Sequence, residues 1–214
     1  MAAIATLALY LERKHLRNLR LTLIFLCLFV IIQHTRNTTK RTNELVVFDV
    51  PQRTVVALRM NGMAMFFDTD TTPTNTIERN SFQLSGYAER CDNTSYHNLG
   101  YTQFDNTLAK GVIAQRANGI AIISANNFRV AIPYNDSCKH LTSSRPFDVD
   151  VLVVNRHASR ELLNLIHPQT AIIDATLSQY RLSQLSHMIM AHNIQVYNVQ
   201  DQGAYQISLP TTEQ

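Results

Sequence analysis

The strongest hydrophobic run in the chain shows no alternation. Residues Leu21–Ile32 carry no charge, and Thr22 is their one polar side chain. Such a run is shorter than the roughly 20 residues a bilayer span requires. Leu19 at one end and Gln33–Thr35 at the other extend it, and Arg20 and Arg36 can reach the headgroups. The pattern predicts a transmembrane helix over 19–35. A signal peptide is the rival reading, but no small-residue cleavage site follows. A buried core helix is a third, set against basic flanks on both sides. Residues 1–11 are apolar but too short to cross a membrane, and read as the remnant of a longer helix. Residues 12–20 read as a basic loop and 36–43 as a linker.

Beyond the linker the pattern becomes that of β-strands. Leu45–Val50 reads as a strand ended by Pro51. Thr54–Met60 and Met63–Asp68 flank Asn61-Gly62, whose residues accept the positive φ a tight hairpin demands. Ile120–Ser124 and Phe128–Pro133 flank Asn126-Asn127, a weaker hairpin signal. The first half is therefore expected to be antiparallel and β-rich. Thr69–Gly100 is polar and poorly periodic, with Ile77–Cys91 a candidate helix carrying Phe82, Leu84 and Tyr87.

The second half alternates strands with helices. Val151–Asn155 is a continuous apolar strand. Ser159 caps a short helix through Ile166, with Glu161 in its first turn and Pro168 ending it. Thr170–Asp174 is a second buried strand. Ser178 caps an amphipathic helix marked by Leu182, Leu185 and Ile189. Ile194–Val199 is a further strand, and Gly203–Leu209 closes the fold as an edge strand, Gly203 supplying the turn and Tyr205 packing. Strand–helix–strand order implies parallel pairing with right-handed crossovers. The fold class is α/β with α+β character, two sheets faced by helices over residues 44–209, and a tail at 210–214.

Hydrophobic residues are 45% and charged residues 16%, which excludes general disorder. Six glycines argue against a glycine-rich phosphate loop. The net charge of +3 is unevenly placed. Residues 1–41 hold seven basic side chains and one acid, leaving 12 basic and 15 acidic residues in 42–214. The basic excess thus lies beside the apolar N-terminus, where the lipid bilayer is the natural partner. Strong autonomous DNA binding by the rest is not indicated, although a local patch could still exist. A basic 12–20 loop favours the cytoplasm, placing the soluble domain on the exported side of the membrane. Arg36, Lys40 and Arg41 pull the other way.

Cys91 and Cys138 lie in polar stretches with no C-x-x-C and no zinc spacing. In an oxidising compartment they have two outcomes, a disulfide or two free thiols. Neither has a motif-level His partner, and no G-x-S-x-G occurs, so nucleophilic catalysis is unsupported. His187 and His192 lie about 140° apart on a helix and should not chelate together.

Two segments carry a family resemblance. D-V-L-V-V-N-R-H-A-S-R-E-L-L continues to H-P-Q-T-A-I-I-D, and V-V-F-D-V-P-Q-R-T-V-V-A-L-R-M-N-G-M-A-M-F-F-D-T-D opens the domain. Both resemble the C-terminal domain of the ComEC family of DNA-uptake channels, in versions from Bacteroidetes-like bacteria. That family's motif is a strand running into His-His-Gly-Ser, a helix, then Pro-x-x-A-I-I-S. The resemblance spans 43–209, with 1–33 similar to the last transmembrane helices. It implies a metallo-β-lactamase-like domain thought to degrade the non-imported strand.

The departures bear on chemistry. The family fold holds two metals with an H-x-H-x-D-H cluster, further His and a bridging Asp. Here no H-x-H exists, and the stretch after Asp68 reads T-D-T-T-P-T-N-T. Arg156 stands where the motif's first His would be, and a guanidinium cannot ligate a cation. His157 stands at the second position and Ala158 replaces the Gly. The expectation is a degenerate domain, not an enzyme, with no metal and no cofactor. Asp68, Asp70, Arg156, His157 and Asp174 are the vestigial-site candidates. The implied function is a non-catalytic, membrane-anchored accessory domain of a ComEC-type protein, read also as the C-terminal fragment of a split gene. Its partner would be the remainder of that channel. Two alternatives stay open: a degenerate metal-dependent nuclease, and an anchored binding module unrelated to DNA.

Overall fold

The computed structural model describes residues 20, 23–31, 43–69, 81–100, 108–140, 146–191 and 194–210. The chain forms two compact units, Met1–Arg41 and Thr42–Gln214. In the first, residues 23–31 are helical. Among the described residues no helix is long and apolar enough to cross a membrane. Residues 1–11 and the remainder of 12–43 and 210–214, apart from Arg20, 23–31, Asn43 and Pro210, lie outside the described residues.

The second unit holds two sheets. The first has the order β11-β1-β2-β3-β4, from Tyr205–Ser208, Glu44–Phe48, Val55–Met60, Met63–Asp68 and Asn93–Asn98. The second has the order β10-β9-β8-β7-β6-β5, from Gln195–Asn198, Ile166–Ile173, Phe147–Val154, Phe128–Pro133, Ile120–Ala125 and Val112–Ala117. Because side chains alternate along a strand, each sheet has two faces to cover. Leu45 and Val47 of β1 join Val151 and Val153 of β8 in one core between the sheets. Val46 and Phe48 face the other way, onto Leu84 and Tyr87 of helix α1 (Ser81–Ala88). Leu152 and Val154 pack under Leu162 of α2 (Arg160–Leu165) and Leu185 and Ile189 of α3 (Gln179–Ala191). The result is a helix–sheet–sheet–helix sandwich, the expected two-sheet α/β architecture. Continuous apolar runs in β1–β3 and β8–β9 follow from burial on both faces. A short helix α4 (Val199–Gln202) precedes β11, which runs along the edge beside β1.

Two expected turns form as the sequence requires. Asn61-Gly62 has φ of 52° and 87°, and Asn126-Asn127 has 49° and 65°. Gly203 turns the chain at φ 81°, and Tyr205 packs against Tyr197 with ring centroids 4.9 Å apart. The parallel run β8-β9-β10 is also as expected, and β7 joins it in parallel although the sequence pattern assigns it to the antiparallel half.

Several expectations need correction. The first half is not wholly antiparallel, because β3 pairs in parallel with β4. The polar β4 (N-T-S-Y-H-N) lies at a sheet edge, where polar side chains are tolerated and protect against further pairing. Strand β5 is a second unanticipated edge, joined to β6 through Asn118-Gly119. Helix α2 ends at Leu165 without help from Pro168, since Ile166 is already extended at φ −110° and ψ 123°. Pro168 instead lies inside β9, which therefore starts earlier than Thr170. It is tolerated because β10 pairs with β9 only from Thr170 onward, so no neighbour needs an N–H on that flank. The candidate helix Ile77–Cys91 is shorter, Ser81–Ala88, with 77–80 outside the described residues. Cys91 and Cys138 are free thiols, one in the layer under α1 and the other buried under α2.

Ser159 caps α2 as expected, its hydroxyl accepting from the Leu162 N–H at 3.3 Å. Ser159→Ala should lower unfolding stability by about 1 kcal/mol, the usual worth of such a cap. Urea denaturation followed by circular dichroism reads the change. A loss below about 0.3 kcal/mol would show that water replaces the cap.

Candidate functional site

Parallel pairing brings the C-terminal ends of β7, β8 and β9 to one end of the second sheet. Pro133, Asn155 and Asp174 lie there. The opposing sheet presents Thr54, just before β2, and Thr69, just after β3. These two clasp each other: the Thr54 N–H donates to Thr69 Oγ1 at 3.3 Å and the Thr69 N–H to the Thr54 carbonyl at 3.2 Å.

A buried polar network joins the two sheets at this point. The Thr54 hydroxyl donates to Asp174 Oδ2. Asn155 Nδ2 donates to Thr54 Oγ1 at 3.0 Å and to the Pro133 carbonyl at 2.6 Å. Asp174 Oδ1 accepts from the Thr176 N–H at 3.0 Å and from its hydroxyl at 2.7 Å. Asp174 and Asn155 are both fully buried. Burial lifts the Asp174 carboxyl to about 6, and the threonine hydrogen bonds pull against that rise.

The loop after β8 carries the next two candidates. Arg156 donates its N–H to Thr176 Oγ1 at 3.0 Å, so Thr176 ties it to Asp174. The His157 N–H donates to Asn155 Oδ1 at 3.0 Å. In the His157 ring, Nε2 accepts from Arg156 Nε at 3.2 Å, and Nδ1 lies 2.8 Å from Asp136 Oδ1. This pattern assigns the neutral tautomer with its hydrogen on Nδ1. Burial pushes the His157 pKa down, with Asp136 opposing, which agrees with a neutral ring. Lys139, then His157, hold the Asp136 carboxyl down at about 2 through their hydrogen bonds. Below them Cys138 donates its thiol to the His157 carbonyl, and burial pushes that thiol up to about 11.

Asp68 does not join this group. It lies two residues after Phe66, which faces α1, so strand alternation turns its side chain away from the space between the sheets. There it lies 3.7 Å from the Arg53 guanidinium and lines a small cavity of about 140 Å³ with Tyr96 and His97. Burial lowers the His97 pKa. Asp70 and His192 lie outside the described residues, as does the side chain of His187. Arg156, His157 and Asp174 therefore share one site, and Asp68 belongs to another face.

The residues that organise the site, Thr54, Asn155, Thr176 and Asp136, were not singled out from sequence. Asn155 does carry a signal, as a polar residue immediately after an apolar strand, and Thr176 a weaker one, three residues after β9. Thr54 carries none, because its partner is 120 positions away. Chemically the arrangement is self-satisfied. Asp174 spends both oxygens on hydroxyl and amide donors, and His157 spends both ring nitrogens on Arg156 and Asp136. Among the described residues no three His, Cys, Asp or Glu side chains converge to hold a metal.

Comparison with known proteins places the chain. No curated protein matches it. Among solved structures it is similar to a protein of the metallo-β-lactamase superfamily from Thermotoga maritima. Identity there is 10%, coverage 64% of this chain and 78% of the other, and the TM-score 0.40. It is also similar to the metallo-β-lactamase fold protein YhfI from Bacillus subtilis. That pair has 10% identity, coverage of 77% and 100%, and a TM-score of 0.43. The family model of the ComEC C-terminal domain matches residues 45–209. That match takes in well over half of the sequence, and the chain belongs to the ComEC C-terminal domain family.

Proposed function

We propose that this chain serves a ComEC-type DNA-uptake protein as a membrane-tethered domain that does no chemistry itself. Family membership supports the competence role. The uncharged run Leu21–Ile32 between Arg20 and Arg36 supports the tether. On this reading the bilayer and the rest of a ComEC-like channel are the partners, and the domain faces the exported side of the inner membrane, where it meets single-stranded DNA.

One observation carries the non-catalytic reading. Both carboxylate oxygens of Asp174 and the single lone pair of the His157 ring already accept hydrogen bonds, the latter from the guanidinium of Arg156. A metal-bound water is the usual nucleophile of such folds, and a cationic neighbour repels the ion that would activate it.

The test is a nuclease assay on the full chain with single- and double-stranded DNA, in Mg²⁺ and in Mn²⁺. Cleavage should not exceed that of a buffer control. Metal-dependent cleavage abolished by Asp68→Ala would instead establish the degenerate nuclease. DNA uptake in a strain lacking the chain is expected to fall. Unchanged uptake would point to an anchored module with no role in DNA.

A further inference from the structure

A cleft beside the site has the wrong charge for the domain that carries it. Residues 42–214 hold more acidic than basic side chains, 15 against 12. Yet Lys139, Arg160 and Arg181 converge on one cleft of about 210 Å³, with Glu161 as the single carboxylate in its lining. The three cations come from three separate segments: the 3-10 turn Asp136–His140, the start of α2 and the first turn of α3. Their geometry is partly fixed. Lys139 Nζ lies 2.8 Å from Asp136 Oδ1, and Arg181 Nη1 donates to the Arg156 carbonyl. An arginine has five donors, so Arg181 keeps others for a ligand.

A second feature lies one helical turn from the lining residue Gln184. Tyr180 is 73% exposed, the most exposed large hydrophobic residue among those described. Gln184, four positions later on α3, lines the cleft. Residues four apart on a helix are surface neighbours, about 5–6 Å between their Cβ atoms. An accessible aromatic residue therefore sits within one helical turn of a pocket of guanidinium and ammonium groups.

We propose that this cleft binds a phosphodiester group of single-stranded DNA, with the adjoining base stacked on Tyr180. The assignment rests on the reading of the chain as a DNA-uptake domain. Cations that track phosphates together with aromatic platforms for bases are the combination by which proteins hold single strands without reading sequence. Duplex DNA keeps its base faces stacked and cannot use Tyr180. A lipid headgroup would suit the cations, but a membrane contact also needs apolar side chains to insert. Of the exposed large hydrophobics described in this unit, Ile113 and Val196 lie on the edge strands β5 and β10 and do not line the cleft. Glu161 in the lining keeps the grip weak, as suits a strand that must move on.

Fluorescence anisotropy of a labelled oligothymidylate, titrated with the full chain, tests the assignment. The basic N-terminal segment contributes equally to every variant, so differences between variants report the cleft. Arg160→Ala and Tyr180→Ala should each weaken binding by about 5-fold or more. Arg160→Ala should also flatten the dependence of log affinity on log salt by about 0.7. Glu161→Gln should tighten binding, a gain that a misfolded variant cannot mimic. Wild-type affinity in all three variants overturns the cleft. So does an Arg160→Ala defect confined to phosphatidylglycerol vesicles, or displacement of the oligomer by inorganic phosphate at equal phosphate concentration. DNA uptake separates the two readings. If deleting the chain stops uptake while the variants bind DNA normally, the cleft is wrong and the uptake role stands. If the variants lose DNA binding while deletion leaves uptake unchanged, the cleft stands and the uptake role falls.

Discussion

Replacing Gly119 with alanine is expected to destabilise the domain by about 3 kcal/mol. Two terms add. Gly119 has φ +85°, where a Cβ costs about 1–2 kcal/mol. The new Cβ would also lie 2.7 Å from the Cys138 nitrogen and 3.0 Å from the Asn135 carbonyl oxygen, as well as 2.3 Å from Asn135 Oδ1. Two of these are backbone atoms, which cannot rotate away, and such overpacking costs about 1–3 kcal/mol more. The Gly119 carbonyl accepts from the Tyr134 N–H at 2.8 Å, so the turn cannot swing out without breaking β7's exit. Gly62 is the matched control. It has nearly the same φ, +87°, but its Cβ would meet only the side chain of Asp92, which can turn aside. Gly62→Ala should therefore cost about 1–2 kcal/mol, the conformational term alone. Urea unfolding of both variants measures the gap. Equal losses would mean that the 3-10 turn above Gly119 yields freely. A large gap would mean that the turn, with Asp136 and Lys139 on it, is held rigidly against the hairpin.

That hairpin also shows where sequence reasoning stops. Asn118-Gly119 has the same residue types as Asn61-Gly62, yet only the latter stands between two plainly apolar runs. β5 reads V-I-A-Q-R-A and alternates between buried or half-buried and exposed positions, as suits an edge strand. β4 is more extreme, with only His97 fully buried among its six residues. Central strands announce themselves because both faces are covered, whereas edges look like loops. Pro168 misled for a related reason: its meaning depends on whether a neighbour needs its N–H, and that is set by where β10 begins.

The site was legible residue by residue but not as an arrangement. Arg156, His157 and Asp174 stand next to strand ends, so their proximity follows from parallel order. Asp68 also ends a strand, but the parity of Phe66 and Asp68 sends it towards α1. Sequence fixes which residues share a face of β3, but not which face meets the second sheet. Nor can it pair Thr54 with Asp174, a contact between a loop of one sheet and a strand end of the other.

That contact governs the second large effect. Thr54→Val keeps the shape of the side chain and removes one hydroxyl. Asp174 Oδ2 loses its donor and Asn155 Nδ2 loses one of its two acceptors, both in fully buried residues. Each unmet buried group costs about 1–3 kcal/mol, so the variant should lose about 2–4 kcal/mol. The pH dependence then identifies the cause. Folding lifts the Asp174 pKa from near its ordinary value to about 6. The native state holds this proton more tightly than the unfolded chain does. Its stabilising contribution is therefore complete below about pH 4 and declines as pH rises through about 6, by about 3 kcal/mol in all. His97 and His157, whose pKa values are lowered by burial, oppose this trend, losing stability as pH falls below about 6.5. Asp136 titrates near 2, below the window. The informative quantity is thus a difference: wild type minus Asp174→Asn, from urea unfolding between pH 4 and 7. The histidine terms cancel, and wild type should lose ground steadily as pH rises. In Thr54→Val the carboxylate has one donor fewer, its pKa rises further, and the decline should start at the same pH but extend to higher pH and grow larger. A difference curve that stays flat from pH 4 to 7 would mean that Asp174 is ionised throughout and that water or a cation, not Thr54, satisfies it.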